Sequence, residues 1–399
     1  MRVCLHMLWS LEPNFIGGTE RFVVELAKEL KILGLSPFVL CTGPNDRGIV
    51  EGVEVVRAIP KRYHSALSAH GAAKADFFQS EIFSKKPWDD GLKALGEFVE
   101  EQISFVDYDI LHFNAFTSAA MINPADAPVI VTNHENAYET DRLWGAGFFD
   151  WFGGEVLKRR TELHNHHSRF TPSHHYAAEY SKLFGLKISG VKLGVRLDGF
   201  PPTRNERSFH ATRILLPSRF DPEQKGHDIL VDAADMLSAS GHDFSITFSG
   251  VRRDYVDGVS SFREEMRTRP SYKLMRFQAF KDINEAYDTC DIVVSPERSC
   301  SYGLSVSEAL AKGVTTVLSD IPTYREVASG NHNAYYFKSG DAADLYRALS
   351  DAIAQRSADQ ESMIRFRCLN DMRDCAREYV ATYLASLNRG SAVSRFSRL

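Results

Sequence analysis

Short apolar runs rich in β-branched residues alternate with amphipathic helical patterns along most of this chain, and few folds accept that alternation. Val3–Leu8 reads as a strand. Glu20–Leu33 then carries Phe22, Val23, Leu26, Ala27, Leu30 and Leu33 at helical spacing, and Ser36–Cys41 returns to strand character. The same reading puts strands at Ile110–Phe113, Val129–Thr132, Ile214–Pro217, Ser245–Phe248, Ile292–Ser295 and Thr315–Leu318, with helices such as Asp228–Leu237 and Ser305–Lys312 among them. Strand–helix–strand units of about 30 residues predict parallel sheets covered by helices on both faces.

The pattern breaks once. Around Gly199–Phe209 (GFPPTRNERSF) it gives way to Pro, Arg and polar residues, and a fresh series starts at Thr212, so two doubly wound domains joined by a linker are expected. The expected division is 1–200, then 201–364, with a helical stretch at 365–388 packing back onto the first domain and a frayed tail at 389–399. Residues 59–106 fit no clean strand–helix unit and are expected to insert over the first domain. With 399 residues, 44% hydrophobic and 25% charged, the chain has the composition of a folded protein. Its net charge of −5 argues against a dedicated nucleic-acid binder. No apolar run approaches the ~20 residues that span a bilayer. The six cysteines lie mostly far apart and form no CxxC, so a reducing cytoplasm is the simplest compartment.

Four segments carry candidate chemistry. Gly17-Gly18-Thr19-Glu20 lies between a strand and a helix, where glycines admit a ligand's close approach and the helix start offers N–H groups to an anion; a tight turn capped by Thr19 explains it equally well. In Ile214–Leu230 a strand ends at Arg219, and Lys225-Gly226 opens the next helix. A forked guanidinium and a mobile ammonium six residues apart suit a diphosphate, although a solvated loop would look the same. In Asp291–Asp320, Glu308 has capping-box spacing from Ser305, so it either caps its own helix or accepts from a ribose diol, and spacing does not choose. The backbone at Tyr302, Gly303 and Leu304 would then receive phosphate oxygens. His134, in VTNHE, stands just past a strand of the first half. Two further clusters read as solvated faces: His164–His167 with His174-His175, which lack a recognised metal-ligand spacing, and Lys158–Arg160 with Arg169, which leaves room only for weak peripheral membrane contact.

Taken in order, these segments resemble the retaining glycosyltransferases of family 4, which have the GT-B fold. GGTERFVVELAKEL is similar to that family's first glycine loop and helix, and His134 stands where its active-site His does. Lys192-Leu193-Gly194-Val195 with Phe200-Pro201 is similar to the lead into its linker. Arg219 and Lys225-Gly226 resemble its phosphate-binding pair, SYGLSVSEALAKG its signature loop and helix, and Asp371–Tyr383 its returning C-terminal helix.

The resemblance implies two Rossmann-like domains flanking a cleft, a nucleotide-sugar donor (UDP- or GDP-linked) on the second and a hydroxylated acceptor on the first. It implies no cofactor and no metal. Arg219 and Lys225 would neutralise the departing diphosphate, Glu308 would hold the ribose, and His134 would meet the transferring sugar or the acceptor. Phe280, within Phe277–Lys281, would pack on the base. Retention would follow from same-face substitution, the acceptor hydroxyl passing its proton to the leaving phosphate oxygen. Residues 59–106 supply aromatics (Tyr63, Phe77, Phe78, Trp88) and charges without a strongly apolar amphipathic face, so a small hydrophilic acceptor is expected, and a glycan acceptor in a polysaccharide-building role also fits. One departure matters: the family places a Glu eight positions before Glu308, and here Cys300 stands there. A thiol is a weak donor and a weak acceptor, so either the sugar is held differently or Glu297 swings in. Two other functions fit the same scaffold: a nucleotide-sugar 2-epimerase, and a catalytically silent nucleotide-sugar-binding protein.

Overall fold

The computed structural model describes residues 1–12, 17–66, 78–83, 87–119, 122, 127–157, 168–202, 211–249, 256–280, 282–355 and 359–396. The His164–His167 and Lys158–Arg160 clusters, Phe77, Lys281 and the polar stretch 203–210 lie outside those residues. The chain forms two compact units, Met1–Leu193 with Met372–Leu399, and Gly194–Asp371. Both are Rossmann-like α/β sheets.

In the first unit the described strands are β1 (Arg2–His6), β2 (Ser36–Thr42), β3 (Asp46–Val50), β4 (Val53–Ala58), β5 (Ile110–Phe113), β6 (Val129–Thr132), β7 (Ser168–Thr171) and β8 (Ser189–Gly190). They order as β3-β4-β2-β1-β5-β6-β7-β8. Their pairings are parallel except that of β3 with β4. That antiparallel edge corrects the expectation of a wholly parallel sheet. The hairpin turns on Glu51 (φ 47°) and Gly52 (φ 83°), both left-handed as a two-residue type I′ turn demands, and Glu-Gly is not the usual sequence for it. The chain fills one side of β1 first and then returns to its other side, so the order reverses between β1 and β5.

Helix α1 (Gly18–Ile32) follows β1, and α2 (Trp88–Ile103) precedes β5. Leu92, Leu95, Phe98 and Val99 of α2 sit in the core, so 59–106 contains a crossover helix and is not merely an insertion. Among its described aromatics, Phe78 is fully buried, Tyr63 packs on Phe98, and Trp88 packs on Phe148 and Trp151. They therefore give no support to an acceptor-binding role.

The second unit has β9 (Thr212–Leu216), β10 (Phe244–Phe248), β11 (Met275–Phe277), β12 (Ile292–Ser295), β13 (Thr315–Ser319) and β14 (Ala334–Phe337), ordered β11-β10-β9-β12-β13-β14. These strands pair in parallel throughout, and the order reverses between β9 and β12. Its helices include α3 (Pro222–Lys225), α4 (His227–Ala239), α5 (Ile283–Thr289), α6 (Leu304–Lys312) and α7 (Gln360–Leu369).

The last helical pattern is two helices rather than one. α7 stops where the Asn370 carbonyl accepts the Val195 N–H at 2.8 Å, and α8 (Met372–Phe396) resumes in the first unit. α8 continues past residue 389, where fraying was expected, with no proline to stop it. Its inner face is polar where it meets the sheet. The Tyr383 hydroxyl lies 2.7 Å from His112 Nδ1, His112 Nε2 lies 2.8 Å from the Thr132 hydroxyl, and that hydroxyl lies 2.8 Å from the Tyr379 hydroxyl. All four residues are fully buried, so each bond keeps a polar atom from going unpaired, at a cost of about 1–3 kcal/mol if lost.

Candidate functional site

In an open parallel sheet, ligands bind beyond the carboxyl ends of the strands at the point where strand order reverses. In the second unit that point lies between β9 and β12, and most of the sequence candidates collect there. Past β9 the chain runs Pro217-Ser218-Arg219 into α3, whose start is capped by Asp221 accepting from the Gln224 N–H at 3.1 Å, with Pro222 in the first turn. The Arg219 guanidinium donates to Gln224 Oε1 and lies 3.6 Å from Asp221 Oδ2, so the cap holds the cation as well. Gly226 ends α3 at φ +68°. A Cβ there would stand 2.1 Å from the Pro296 carbonyl oxygen, so only glycine lets the loops after β9 and β12 close on each other.

That approach sets Lys225 Nζ 2.8 Å from Glu297 Oε2, with Glu297 only 3% exposed. Arg298 stitches the loops together: its N–H donates to the Gln224 carbonyl, and its guanidinium donates to the Pro222 and Glu223 carbonyls and pairs with Asp228. Cys300 is buried beside Glu297, and burial with that carboxylate holds its thiol protonated, well above the ordinary range. Its carbonyl accepts from the Thr323 hydroxyl at 2.9 Å.

α6 begins one residue earlier than the sequence pattern suggested. Gly303 at φ +89° is its N-cap, and a Cβ there would meet the Tyr324 ring at 2.5 Å. Glu308 therefore sits in the second turn, too far along to cap. Its Oε2 instead accepts from the Tyr287 hydroxyl of α5 at 2.8 Å, and its side chain is buried. The choice left open by spacing falls away from capping. Tyr302 is buried, while Gly303 and Leu304 are half-buried at the helix start, whose first N–H groups lie outside the helix's own ladder. Phe280 is half-buried three residues beyond β11, on the loop that follows the edge strand.

The equivalent point of the first unit lies between β1 and β5, where an amide and an imidazole meet a backbone carbonyl. Asn114, directly after β5, donates from its backbone N–H and from Nδ2 to the His6 carbonyl at the end of β1, at 3.2 and 3.1 Å. His134, past β6, places Nε2 3.2 Å from Asn114 Oδ1 and packs its ring on Phe22 of α1 at 4.7 Å. Burial lowers the His134 pKa to about 3, so the ring is neutral at ordinary pH. Gly17 is the N-cap of α1 and Gly18 its first residue, so Thr19 lies inside the helix and does not cap it. A Cβ on Gly17 would meet the Glu20 carboxylate at 1.8 Å, so the glycine makes room for that carboxylate at the helix start.

Sequence reasoning missed Asn114, Tyr287, Gln224 and Arg298. Asn114 had a signal, its place at the end of a predicted strand; the others owe their roles to tertiary contacts. Among the described residues, no group of three His, Cys, Asp or Glu side chains is placed to hold a metal ion, and no helix is long and apolar enough to cross a membrane.

Residues 16–198 match the family model described as glycosyltransferase family 4, and residues 206–366 match that of glycosyl transferases group 1. A serotype-specific mannosyltransferase, WbdA, from Escherichia coli is 28% identical over 182 residues, 42% of this chain but only 22% of that protein's length. A phosphatidyl-myo-inositol mannosyltransferase from Mycobacterium leprae is 21% identical over 405 residues, covering 94% of this chain and 95% of that one. Among solved structures, a glycosyltransferase from Rickettsia africae superposes with a TM-score of 0.69 at 17% identity, over 97% of this chain and 98% of that one. The chain is a GT-B-fold protein related to the group 1 and family 4 glycosyltransferases.

Proposed function

We propose that the protein is a retaining glycosyltransferase that moves a hexose from a UDP- or GDP-sugar to a hydroxyl of an acceptor, without a metal. The observation that carries this is the pair of ionic contacts beyond β9 and β12, Arg219 with Asp221 and Lys225 with Glu297, at the strand-order reversal, with Glu308 on α6. In this reading Arg219 and Lys225 take up charge on the diphosphate as the sugar C1–O bond breaks. The acceptor oxygen bonds to C1 from the same face, and its proton passes to the leaving phosphate oxygen. Electrostatic stabilisation of that kind is usually the largest catalytic contribution. Glu308 accepts from the ribose hydroxyls, and Phe280 packs on the base. Glu297 supplies the carboxylate that Cys300 lacks: it already lies buried against Lys225 and has only to rotate toward donor hydroxyls. Both named relatives are mannosyltransferases, which favours mannose as the hexose.

The test is melting of the purified chain with UDP, GDP, ADP and their sugars, followed by transfer assays with the stabilising donor. A ligand that binds only the folded state raises the melting point, and one base is expected to stand out. No shift with any nucleotide overturns the reading. Conversion of UDP-GlcNAc to an epimer without acceptor would indicate the epimerase. Tight binding with no transfer over a broad acceptor panel would indicate a silent binding protein.

A further inference from the structure

His134 carries a ring whose chemistry depends on which nitrogen holds the proton, and the strand ends fix that choice. The His6 carbonyl at the end of β1 can only accept, and it faces Asn114 Nδ2 at 3.1 Å. Turning the Asn114 amide over would set carbonyl oxygen against carbonyl oxygen, so its orientation is determined by the backbone of the neighbouring strand. Oδ1 is then the atom 3.2 Å from His134 Nε2. An amide oxygen only accepts, so Nε2 must carry the hydrogen. Burial keeps the ring neutral, so it holds one proton and no more. Phe22 covers the ring at 4.7 Å and limits its rotation.

The geometry points to Asn114 as a positioning residue that locks His134 as the Nε2–H tautomer, leaving Nδ1 to accept a hydrogen bond from a substrate hydroxyl. The substrate part of this inference rests on the glycosyl-transfer reading; the tautomer does not. An accepting nitrogen welcomes a hydroxyl and repels a carboxylate, so the sugar atom that His134 Nδ1 meets belongs to a hydroxyl and not to a carboxylate. His112, buried nearby, differs: hydroxyls flank both of its nitrogens, and a hydroxyl can donate or accept, so its tautomer is not fixed by its neighbours.

The experiment is long-range proton–nitrogen NMR on the full chain labelled with ¹⁵N-histidine and free of ligand, with His134→Gln used only to assign the signal. His134 is expected to show a protonated Nε2 and a bare Nδ1. In Asn114→Leu, which removes the acceptor, both tautomers should be populated. Turnover with a hexose donor should fall about tenfold while donor KM changes little, as for an interaction lost mainly in the transition state. A wild-type ring protonated at Nδ1, or an Asn114→Leu ring still held as Nε2–H, overturns the inference. If the leucine variant does not fold, the wild-type spectrum decides alone. An Nε2–H ring in a protein that binds no nucleotide sugar would instead fail the functional reading and leave the tautomer standing.

Discussion

The two units place their candidate residues at the same topological point and furnish it in opposite ways. Past β1, β5 and β6 the first unit brings together neutral groups, the Asn114 amide, the His134 imidazole that burial keeps uncharged and the His6 carbonyl, with the Glu20 carboxylate at the nearby start of α1. Beyond β9 and β12 the second unit presents two ion pairs, Arg219 with Asp221 and Lys225 with Glu297. Neutral hydrogen-bonding groups discriminate hydroxyl positions at little desolvation cost. Paired charges are expensive to bury and become useful when a multiply charged ligand rearranges them. The contrast can be attacked from either side.

Acid should strike the first unit hardest. Burial lowers His6 to about 4 and His112 and His134 to about 3, whereas among the described residues of the second unit His227 alone is lowered in this way, to about 4. The unfolded chain binds protons near pH 6.5 and these folded rings do not. Stability is therefore full above pH 6.5 and is lost as pH falls from there toward 3–4. Linkage gives about 2 kcal/mol per ring at pH 5, or about 6 kcal/mol for three. All four tryptophans (Trp9, Trp88, Trp144 and Trp151) belong to the first unit, so their fluorescence reports on it alone. Denaturant unfolding at pH 7.5 and 5 should move the fluorescence transition further than circular dichroism moves as a whole. Equal shifts would erase the contrast.

Charge removal tests the second unit. Lys225→Met should lower turnover on the order of 10²–10³-fold if this cation meets the leaving diphosphate. It also strands Glu297, and breaking a buried ion pair costs about 3–5 kcal/mol. The double variant Lys225→Met/Glu297→Gln should recover most of that stability and none of the rate. If the single variant transfers sugar as fast as wild type, the ionic cluster is structural.

The neutral network has a matching variant. Tyr383→Phe removes the hydroxyl 2.7 Å from His112 Nδ1 and should destabilise the first unit by about 1–3 kcal/mol, again read by tryptophan fluorescence. Nucleotide affinity should not change. A nucleotide affinity that falls with it would show the returning helix acting on the donor site.

Much of this arrangement is legible in the amino-acid sequence. Ile110–Phe113, Val129–Thr132 and Ile292–Ser295 are strands with those bounds because buried parallel strands are continuous apolar runs that polar loops cut off cleanly. The β3–β4 hairpin is hidden by a turn in which Glu51 adopts φ 47° without the Asn-Gly that announces such turns. The division of the last helix has only a faint mark, Asn370-Asp371, because apolar periodicity continues across it; Asn370 ends α7 by donating from Nδ2 to the Phe366 carbonyl while its own carbonyl accepts from Val195. At the site, Arg219, Lys225, His134 and Glu308 are legible from their positions past strand ends. Their partners are not. Tyr287 reaches Glu308 from another helix, and Glu297 reaches Lys225 only because Gly226 admits Pro296. Sequence shows which groups a strand end carries; which of them neutralise one another is decided by packing.

Glu297 is where that difference matters, and its test has the smallest expected effect. In the free protein its carboxylate already occupies the ammonium that a diphosphate would need. Glu297→Gln keeps the volume and removes the charge, so UDP or GDP without sugar should bind about tenfold more tightly, a gain of about 1.4 kcal/mol. If Glu297 also accepts from donor hydroxyls, the same change should weaken that contact, because a carboxylate accepts more strongly than an amide. Turnover with the intact donor should therefore fall while the bare nucleotide gains affinity. A substitution that merely loosened the fold would weaken both. Titration calorimetry with the nucleotide, beside initial rates with the nucleotide sugar, separates the two, and if Glu297→Ala leaves donor affinity and turnover untouched, Glu297 does not stand in for the carboxylate missing at Cys300.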